Sequence, residues 1–258
     1  MKKLLVIPDR SNLDESLQFA GEYDLGFEYN DFFSPSVLDD KNLLNKIENS
    51  YLSCKLPSYC TMHGAFFDVI PFSPDDRIRE ISQQRIEQSI TVAKQMGCKA
   101  VVFHTNYNPF LNSAVYVKGW IDNNTAYWSS VLKRHSDIAI YLENMFDTSP
   151  DIMSGLAEKL CEYDNFGICL DYAHASISPT DTLVWVQRLG KYVRHVHLND
   201  NDLNADLHLP WGSGMIDREK FYRCYDDYMN EATILLETTG VGAQRSSVET
   251  LISDGFLK

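Results

Sequence analysis

The chain has 258 residues, of which 44% are hydrophobic and 23% charged, a composition typical of an ordinary soluble globular protein. This length suits either one large α/β barrel or two small domains. The formal net charge of −13 argues against a broad nucleic-acid-binding face, because such a face needs many lysines and arginines to neutralise phosphates.

Neither the cysteines nor the first residues indicate secretion. The six cysteines include no C-x-x-C pair and no small-domain disulfide pattern, so we expect free thiols in a reducing compartment. The opening MKKLLVIPDR contains only a short apolar run, too short for the core of a signal peptide, and no later stretch approaches a membrane span. We therefore expect a cytoplasmic protein without a membrane partner.

Apolar runs typical of buried strands alternate with helical patterns along the whole chain. The predicted strands are Leu4–Ile7, Leu25–Phe33, Tyr59–Phe67, Lys99–Pro109, Ile138–Phe146, Phe166–Ala175, Val193–Asp200 and Ala232–Gly240. The predicted helices are Leu13–Glu22, Asp39–Asn49, Ser73–Met96, Tyr116–Arg134, Ile152–Tyr163, Thr182–Leu189, Arg218–Tyr228 and one after Gly240.

The third of these helices carries clear end signals. Ser73 is predicted to cap it, with Pro74 at its first position and the acidic Asp76 three residues after the cap. Gly97 is well placed to end the same helix.

Eight strands alternating with eight helices imply a parallel sheet, and within this length they predict a single (β/α)8 TIM barrel spanning residues 1–258. Active sites in this α/β fold lie at the C-terminal ends of the strands. Polar residues stand at those ends here, so we expect the functional site there.

Six of the predicted strands carry a potential metal ligand toward their C-terminal ends. Histidine and carboxylate side chains suit a borderline metal such as zinc, whereas clustered carboxylates without an ion repel one another. Taken singly, each has an ordinary explanation: a histidine after a strand is often structural, and Glu143 could cap the next helix. Together they predict a metal site. The nine candidates are His63, His104, Glu143, Asp171, His174, His197, Asp206, His208 and Glu237.

The stretch from Val193 to Asp217 is the richest part of this set. It holds three of the seven histidines, His195, His197 and His208, and runs from a strand into a polar loop. The loop ends in a Gly-x-Gly formed by Gly212 and Gly214.

Several segments resemble, in order, the successive motifs of the endonuclease IV family, which belongs to the xylose isomerase-like barrel superfamily. The segments are TMHGAFF, VVFHTNYNP, YLEN, CLDYAH, HVHLND, DLH followed by GSGMI, and LLET. The resemblance covers about residues 59–240, and the ordered set is more specific than any single motif.

The resemblance implies three zinc ions and phosphodiester hydrolysis with Glu143 and Glu237 as catalytic residues. It implies a phosphoester substrate, such as abasic DNA held locally at the barrel mouth. A metal-bound hydroxide would attack phosphorus, and the remaining charge would stabilise the leaving oxygen. By this resemblance His63, His104 and Glu143 would hold one ion, Glu143 would bridge to a second held by Asp171, His197 and Glu237, and His174, Asp206 and His208 would hold the third.

Candidate substrate-binding residues lie near the same strand ends. Phe66 and Phe67 stand where the family places residues that intrude into DNA. The presence of Glu28 is closer to the pattern of the related sugar isomerases and epimerases. The substrate-binding candidates are Arg10, Glu28, Phe66, Gly212 and Gly214, and the other basic residues considered are Lys118 and Arg218.

Two enzyme hypotheses remain. In the alternative, a sugar isomerase or epimerase, one divalent ion (Mn²⁺ or another) is held by Glu143, Asp171, His197 and Glu237, and the two glutamates move a proton beside a carbonyl. The formal charges of three zinc ions and four carboxylates sum to +2, which suits a phosphate. The charges of one divalent ion and three carboxylates sum to −1, which suits a neutral sugar. The isomerase hypothesis gives no role to His63, His104 or the pair of Asp206 and His208. Their presence and the charge balance favour phosphoester hydrolysis. A metal-stabilised binding protein is a third, less favoured hypothesis, and the oligomeric state stays open.

Overall fold

The computed structural model describes residues 2–66 and 69–257 as a closed eight-stranded barrel. All eight strands are parallel, and each is hydrogen-bonded to its neighbours in chain order, with β1 closing onto β8. The strands are β1 Leu4–Val6, β2 Gly26–Tyr29, β3 Cys60–His63, β4 Ala100–His104, β5 Ala139–Glu143, β6 Phe166–Asp171, β7 Val193–Leu198 and β8 Thr233–Leu236. The predicted single (β/α)8 TIM barrel is confirmed.

Helices follow the strands and cover the outside of the barrel. They are α1 Leu13–Tyr23, α2 Pro35–Asp39, α3 Lys41–Leu52, α4 Asp76–Gln95, α5 Ala114–Arg134, α6 Asp151–Leu160, α7 Tyr172–Ile177, α8 Thr182–Leu189, α9 Arg218–Tyr228 and α10 Val241–Ser253. Within residues 2–66 and 69–257, none of them combines the length and the apolar character needed to cross a bilayer. All six cysteines are free thiols, as expected.

The main hydrophobic core lies between the strands and the helices, where apolar side chains from both layers meet. A second, much smaller apolar cluster, formed by Ala100, Val102, Tyr141 and Cys169, lies apart from it. Tyr141 of this small cluster stacks on His195, which hydrogen-bonds the fully buried Glu28. Polar side chains are therefore enclosed among the strands as well as at their ends.

The structure corrects several predicted element ends. The start of α4 is capped by Asp75, whose Oδ1 accepts from the backbone N–H groups of Arg77 and Ile78, so Ser73 is not the cap. A carboxylate is a strong acceptor for the free N–H groups of a first turn, and Asp75 stands one position before the helix. The predicted end at Gly97 agrees with its φ of +70° directly after the last turn.

The other corrections concern strand length. The strands β3, β4, β5 and β8 end three to five residues before their predicted ends. β2 ends at Tyr29 and β6 at Asp171, although both apolar runs were predicted to continue for four more residues. At the end of β6, Asp171 Oδ1 accepts from the backbone N–H of His174 at 2.6 Å, which starts the short helix α7 immediately. His174 therefore lies on a helix one turn beyond Asp171 and not on the strand.

Candidate metal centre

Six of the nine predicted ligands lie together at the C-terminal ends of the strands. Four of them are the last residues of β3 to β6, His197 is the second-last residue of β7, and Glu237 follows β8. None is more than 8% exposed. We call His63, His104, Glu143, Asp171, His197 and Glu237 the inner set.

Glu143 stands at the centre of the inner set, and its two oxygens face different partners. Oε2 lies 3.6 Å from His63 Nε2 and 3.4 Å from His104 Nε2. Oε1 lies 3.3 Å from His197 Nδ1. Each oxygen of this one carboxylate therefore points at its own group of imidazole nitrogens.

The backbone fixes which nitrogen of His63 faces the centre. Nδ1 lies 3.0 Å from the carbonyl oxygen of Gly64, the arrangement in which the Nδ1–H donates and Nε2 keeps its lone pair. That Nε2 lies 3.3 Å from His104 Nε2, too close for two bare lone pairs unless a proton or an ion lies between them. His63 Nε2 and His104 Nε2 are therefore placed to share one proton or one metal ion.

His197 is held from behind by Glu28. Its Nε2 lies 3.1 Å from Glu28 Oε1, although the pair lacks the alignment of a good hydrogen bond. Its Nδ1 points the other way, toward Glu143 and toward Glu237 Oε2 at 3.4 Å. A carboxylate behind a ligating histidine is the usual way in which proteins orient such a ring.

Asp171 is positioned by two hydrogen bonds between its backbone and the side-chain amide of Asn144, which follows β5. Asn144 Nδ2 donates to the Asp171 carbonyl oxygen at 2.9 Å, and the Asp171 N–H donates back to Asn144 Oδ1 at 2.9 Å. Because Asp171 Oδ1 caps α7, only Oδ2 is left to face the centre.

The remaining atoms of this cluster are those that a metal ion would use. Six buried side-chain atoms of the inner set have no hydrogen-bond partner. Four of them are Glu143 Oε2, Asp171 Oδ2, His197 Nδ1 and Glu237 Oε2, and the other two are His104 Nδ1 and His197 Nε2. Buried polar atoms without partners are rare because each costs stability, so a cluster of them needs an explanation. Three anionic oxygens and one imidazole nitrogen form a suitable donor set for a divalent ion. The inner set is therefore suited to hold a divalent metal ion.

The other three predicted ligands form an outer set on α7 and the loop after β7. Asp206 Oδ2 lies 3.2 Å from His174 Nε2 and 3.0 Å from His208 Nε2. Each ring is fixed from behind, because His174 Nδ1 lies 2.9 Å from the Asn144 carbonyl oxygen and His208 Nδ1 lies 3.0 Å from that of Glu237. His208 has a φ of +48°, an uncommon backbone state that this loop maintains.

The carboxylates of the cluster do not ionise alike. Burial opposes ionisation of Glu143, but His197 and His104 outweigh it and hold the pKa of Glu143 well below its usual range. Burial, reinforced by the charges of Glu237 and Glu143, raises the pKa of Asp171 to about 7. The carboxylates compete for a limited positive charge, and added cations would relieve that competition.

His195, the third histidine of the stretch, has no free nitrogen. Its Nδ1 lies 2.6 Å from Thr233 Oγ1 and its Nε2 lies 3.1 Å from Glu28 Oε2. Thr61 Oγ1 also donates to Glu28 Oε2 at 2.7 Å. His195 therefore braces Glu28, which in turn stands behind His197.

The structure gives two of the predicted substrate-binding residues definite surroundings at the mouth. Arg10 follows β1 and donates from Nε to Asp31 Oδ1 at 2.9 Å. Phe66 packs against the rings of His63 and His104, with centroid separations of 5.3 Å and 4.5 Å. Phe67, which was predicted to act beside it, lies outside the described residues. Glu28, the candidate taken from the sugar isomerases, is fully buried behind His197 and does not face the mouth.

Gly212 and Gly214 shape the loop that carries the outer set. Their backbone N–H groups donate to Asp200 Oδ2 at 3.0 Å and 2.9 Å, so both donors are already used within the protein. Asp200 Oδ1 accepts from the N–H of Ile216 at 3.1 Å as well. A Cβ on Gly214 would collide with Asp200, so the close approach itself requires glycine.

Three supporting residues were missed by sequence reasoning: Asn144, Asp200 and His195. Asn144 and Asp200 stand in the quoted segments YLEN and HLND, directly after or close to a ligand. An amide or carboxylate at a strand end, where neighbouring strands meet, was the available signal. His195 could be suspected from its alternation with His197, which places both side chains on the same face of β7.

Comparison with known proteins agrees with this architecture. A family model described as xylose isomerase-like TIM barrel matches residues 24–252. A protein of Thermus thermophilus, in a structure soaked with zinc chloride, superposes with a TM-score of 0.79 at 22% identity over 100% of both chains. A D-tagatose 3-epimerase-like protein superposes with a TM-score of 0.75 at 22% identity, over 98% of this chain and 96% of that one.

Sequence relatives are more distant and partly matched. A probable endonuclease 4 of Mycobacterium leprae is 27% identical over 165 residues, covering 57% of this chain and 61% of the relative. The chain spans little more than half the length of the first curated relatives that it matches. Likeness at these levels establishes the fold and the family and leaves the reaction open. The chain belongs to the xylose isomerase-like TIM barrel family.

Proposed function

We propose that this protein is a zinc-dependent phosphoester hydrolase of the endonuclease IV kind, with three ions at the mouth of the barrel. The inner set would hold two ions that share Glu143, and the outer set would hold the third. The nine ligand residues and the sequence likeness to a probable endonuclease 4 support this reading.

The main support for the proposal is that the two carboxylate oxygens of Glu143 face different groups of histidines. Its Oε2 faces His63 and His104, whereas its Oε1 faces His197. A carboxylate placed between two groups of bare ligand atoms has the arrangement of a bridge between two ions, and paired ions are typical of enzymes that cleave phosphoesters.

A single-ion enzyme would leave much of this site unexplained. The four residues Glu143, Asp171, His197 and Glu237 suffice for the one divalent ion of an isomerase. His63 and His104 would then be two buried histidines aimed at one carboxylate oxygen without a task, and the outer set would have none either. Hydrolysis assigns a role to all nine residues.

The chain's own residues would bind and orient the substrate. Bound divalent ions would supply Lewis acidity for activating water and stabilising the leaving oxygen. Glu143 and Glu237 both face His197 and keep the inner oxygens in fixed positions. Phe66, packed on His63 and His104, covers that side of the inner set and limits access of bulk water.

The distribution of basic residues favours a small phosphoester, or DNA held only at the mouth. Arg10 pairs with Asp31, Arg218 pairs with Asp254 at 2.7 Å, and Lys118 pairs with Asp122. The carboxylate partners compete with phosphate for these cations. Duplex binding is therefore expected to be weak and strongly salt-dependent.

The test is a panel of substrates given to the zinc-loaded protein at low and moderate salt. The panel contains an abasic-site duplex, a simple aryl phosphodiester and several ketoses. We expect cleavage of the phosphodiester at both salt concentrations and incision of the duplex mainly at low salt. Epimerisation of a ketose without any phosphoester cleavage would overturn the proposal.

The second candidate is a divalent-metal sugar isomerase or epimerase. It is favoured by the superposition on a D-tagatose 3-epimerase-like protein and by the positions of Glu143 Oε1 and Glu237 Oε2, which lie 3.3 Å and 3.4 Å from His197 Nδ1. Two carboxylates facing one ion could move a proton beside a substrate carbonyl. The ketose arm of the same panel decides between the two functions.

A further inference from the structure

A cavity of about 670 Å³ lies beside the outer set, between the loops that follow β4 and β5. Its wall includes Phe110, Phe146, Asp147 and His174, together with Ile70 and Pro179. This volume falls within the range of small-molecule sites. Because His174 belongs to both the wall and the outer set, the cavity borders the metal centre.

Two phenyl rings border this cavity from different loops. Phe110 is 92% exposed and Phe146 is 59% exposed, far more than aromatic side chains usually are. Single exposed apolar residues need no explanation, but two aromatic rings on one cavity form a surface suited to the face of another ring. None of the steps proposed above uses either ring.

A buried carboxylate lies in the same wall. Asp147 is only 4% exposed, and its Oδ2 accepts from the Met145 N–H at 3.1 Å and from Thr105 Oγ1 at 3.0 Å. Its Oδ1 has no hydrogen-bond partner. An unpartnered buried carboxylate oxygen destabilises the fold, which points to a donor that arrives with a ligand.

We propose that this cavity binds a ring of the substrate, a flat base or a sugar, whose edge carries an N–H or O–H donor. Phe110 and Phe146 cover the faces of the ring, and Asp147 Oδ1 accepts the hydrogen bond from its edge. The inference rests on the proposed hydrolase function for one point. The ring is taken to be joined to the phosphoester, which reaches the outer set past His174.

The experiment measures binding without turnover. 9-Methyladenine carries only the base ring and methyl β-D-ribofuranoside only the sugar ring. Neither contains phosphate, so neither can be hydrolysed as a phosphoester. Each is titrated by isothermal calorimetry into the zinc-loaded wild-type protein and into Phe110→Ala, Asp147→Asn and Val115→Ala. Val115 is a matched control, because it is 84% exposed close to Phe110 in sequence and does not line the cavity.

We expect at least one probe to bind, and the stronger one identifies the ring. Loss of a charge-assisted hydrogen bond in Asp147→Asn should weaken binding by roughly tenfold or more. Loss of a stacking face in Phe110→Ala should also weaken it by roughly tenfold, whereas Val115→Ala should bind like wild type. Phe110 is almost fully exposed, so its removal leaves the fold intact.

Two results would overturn the inference. One is no binding of either probe at millimolar concentration, and the other is binding that neither Phe110→Ala nor Asp147→Asn weakens. Ring binding together with failure of all phosphoester cleavage would leave the cavity site standing and remove the hydrolase function. Phosphoester cleavage without ring binding would remove only the cavity site.

Discussion

The inner and outer sets present the same kinds of side chain in opposite surroundings. The inner set stands on or directly after barrel strands, and its side chains are at most 10% exposed. In the outer set, the side chains of His174, Asp206 and His208 are 10%, 36% and 40% exposed. Strands fix the inner atoms before any ion arrives, whereas the outer atoms depend on a short helix and a loop. We therefore expect the inner set to bind ions more tightly and the outer set to lose its ion first.

The largest effect is expected from Glu143→Gln, which removes the charge shared by the two inner groups. Changing a residue that only supports a ligand typically costs 10- to 100-fold, so loss of this bridge should lower activity by more than about 100-fold. Metal content should fall while the circular dichroism spectrum of the barrel is kept. Glu249→Gln, on the exposed side of α10, is the control. Full activity with full metal content in Glu143→Gln would show that Glu143 is not the bridge.

A change in the outer set should separate the two regions. His208→Ala removes one of the two rings that face Asp206, so the protein should lose about one ion per chain and keep the inner two. Elemental analysis after gel filtration measures this directly. If His208→Ala loses every ion, the two sets form one cooperative unit and the comparison fails.

The support behind the inner set should matter less than the ligands themselves. Glu28→Gln keeps the shape of the side chain but removes the charge that His195 and His197 face. We expect the affinity of the inner set for zinc to fall by roughly 10- to 100-fold, measured by competition with a chelating dye. An unchanged affinity would mean that the ring of His197 is held by its other neighbours alone.

The smallest effect concerns the free energy of unfolding and its dependence on the ionisation of Asp147. Burial raises the pKa of Asp147 to about 6 from 3.8, so ionisation of this carboxyl opposes folding. The folded state keeps the proton longer than the unfolded state, so stability falls as the pH rises from about 4 to about 6, and the loss is constant above that.

Asp147→Asn should therefore be more stable than wild type at pH 8, by no more than about 3 kcal/mol, with about a third of this gain at pH 4.5. Denaturant unfolding of both proteins at both pH values gives the comparison. An equal difference at the two pH values would show that the carboxyl group does not titrate across this range.

The sequence predicted the barrel well because each strand is a buried apolar run followed by a polar residue. It also predicted the nine candidate ligands as one group, and eight parallel strands whose C-terminal ends meet at one mouth bring most of those positions together. Strand ends were less predictable. Asp171 could continue β6 by pattern alone, and only its bond to the His174 N–H turns the chain into α7.

The supports of the site were harder to foresee, because they depend on partners distant in the chain. Glu28 meets His195 across 167 residues, and Asp200 meets the Gly214 N–H across 14. No local pattern specifies such pairs. The glycines therefore suggested a substrate-binding loop, whereas in the structure their N–H groups bind Asp200 and hold the loop that carries Asp206 and His208.

The most direct test of the central claim is a count and location of metal ions in protein purified without chelators. Elemental analysis combined with anomalous scattering at the zinc edge gives both numbers. We predict about three zinc ions per chain, two sharing Glu143 and one among His174, Asp206 and His208, with neighbours ~3.5–4 Å apart where a ligand is shared. A single ion held by Glu143, Asp171, His197 and Glu237, with His63 and His104 unbound, would contradict the account and favour the isomerase.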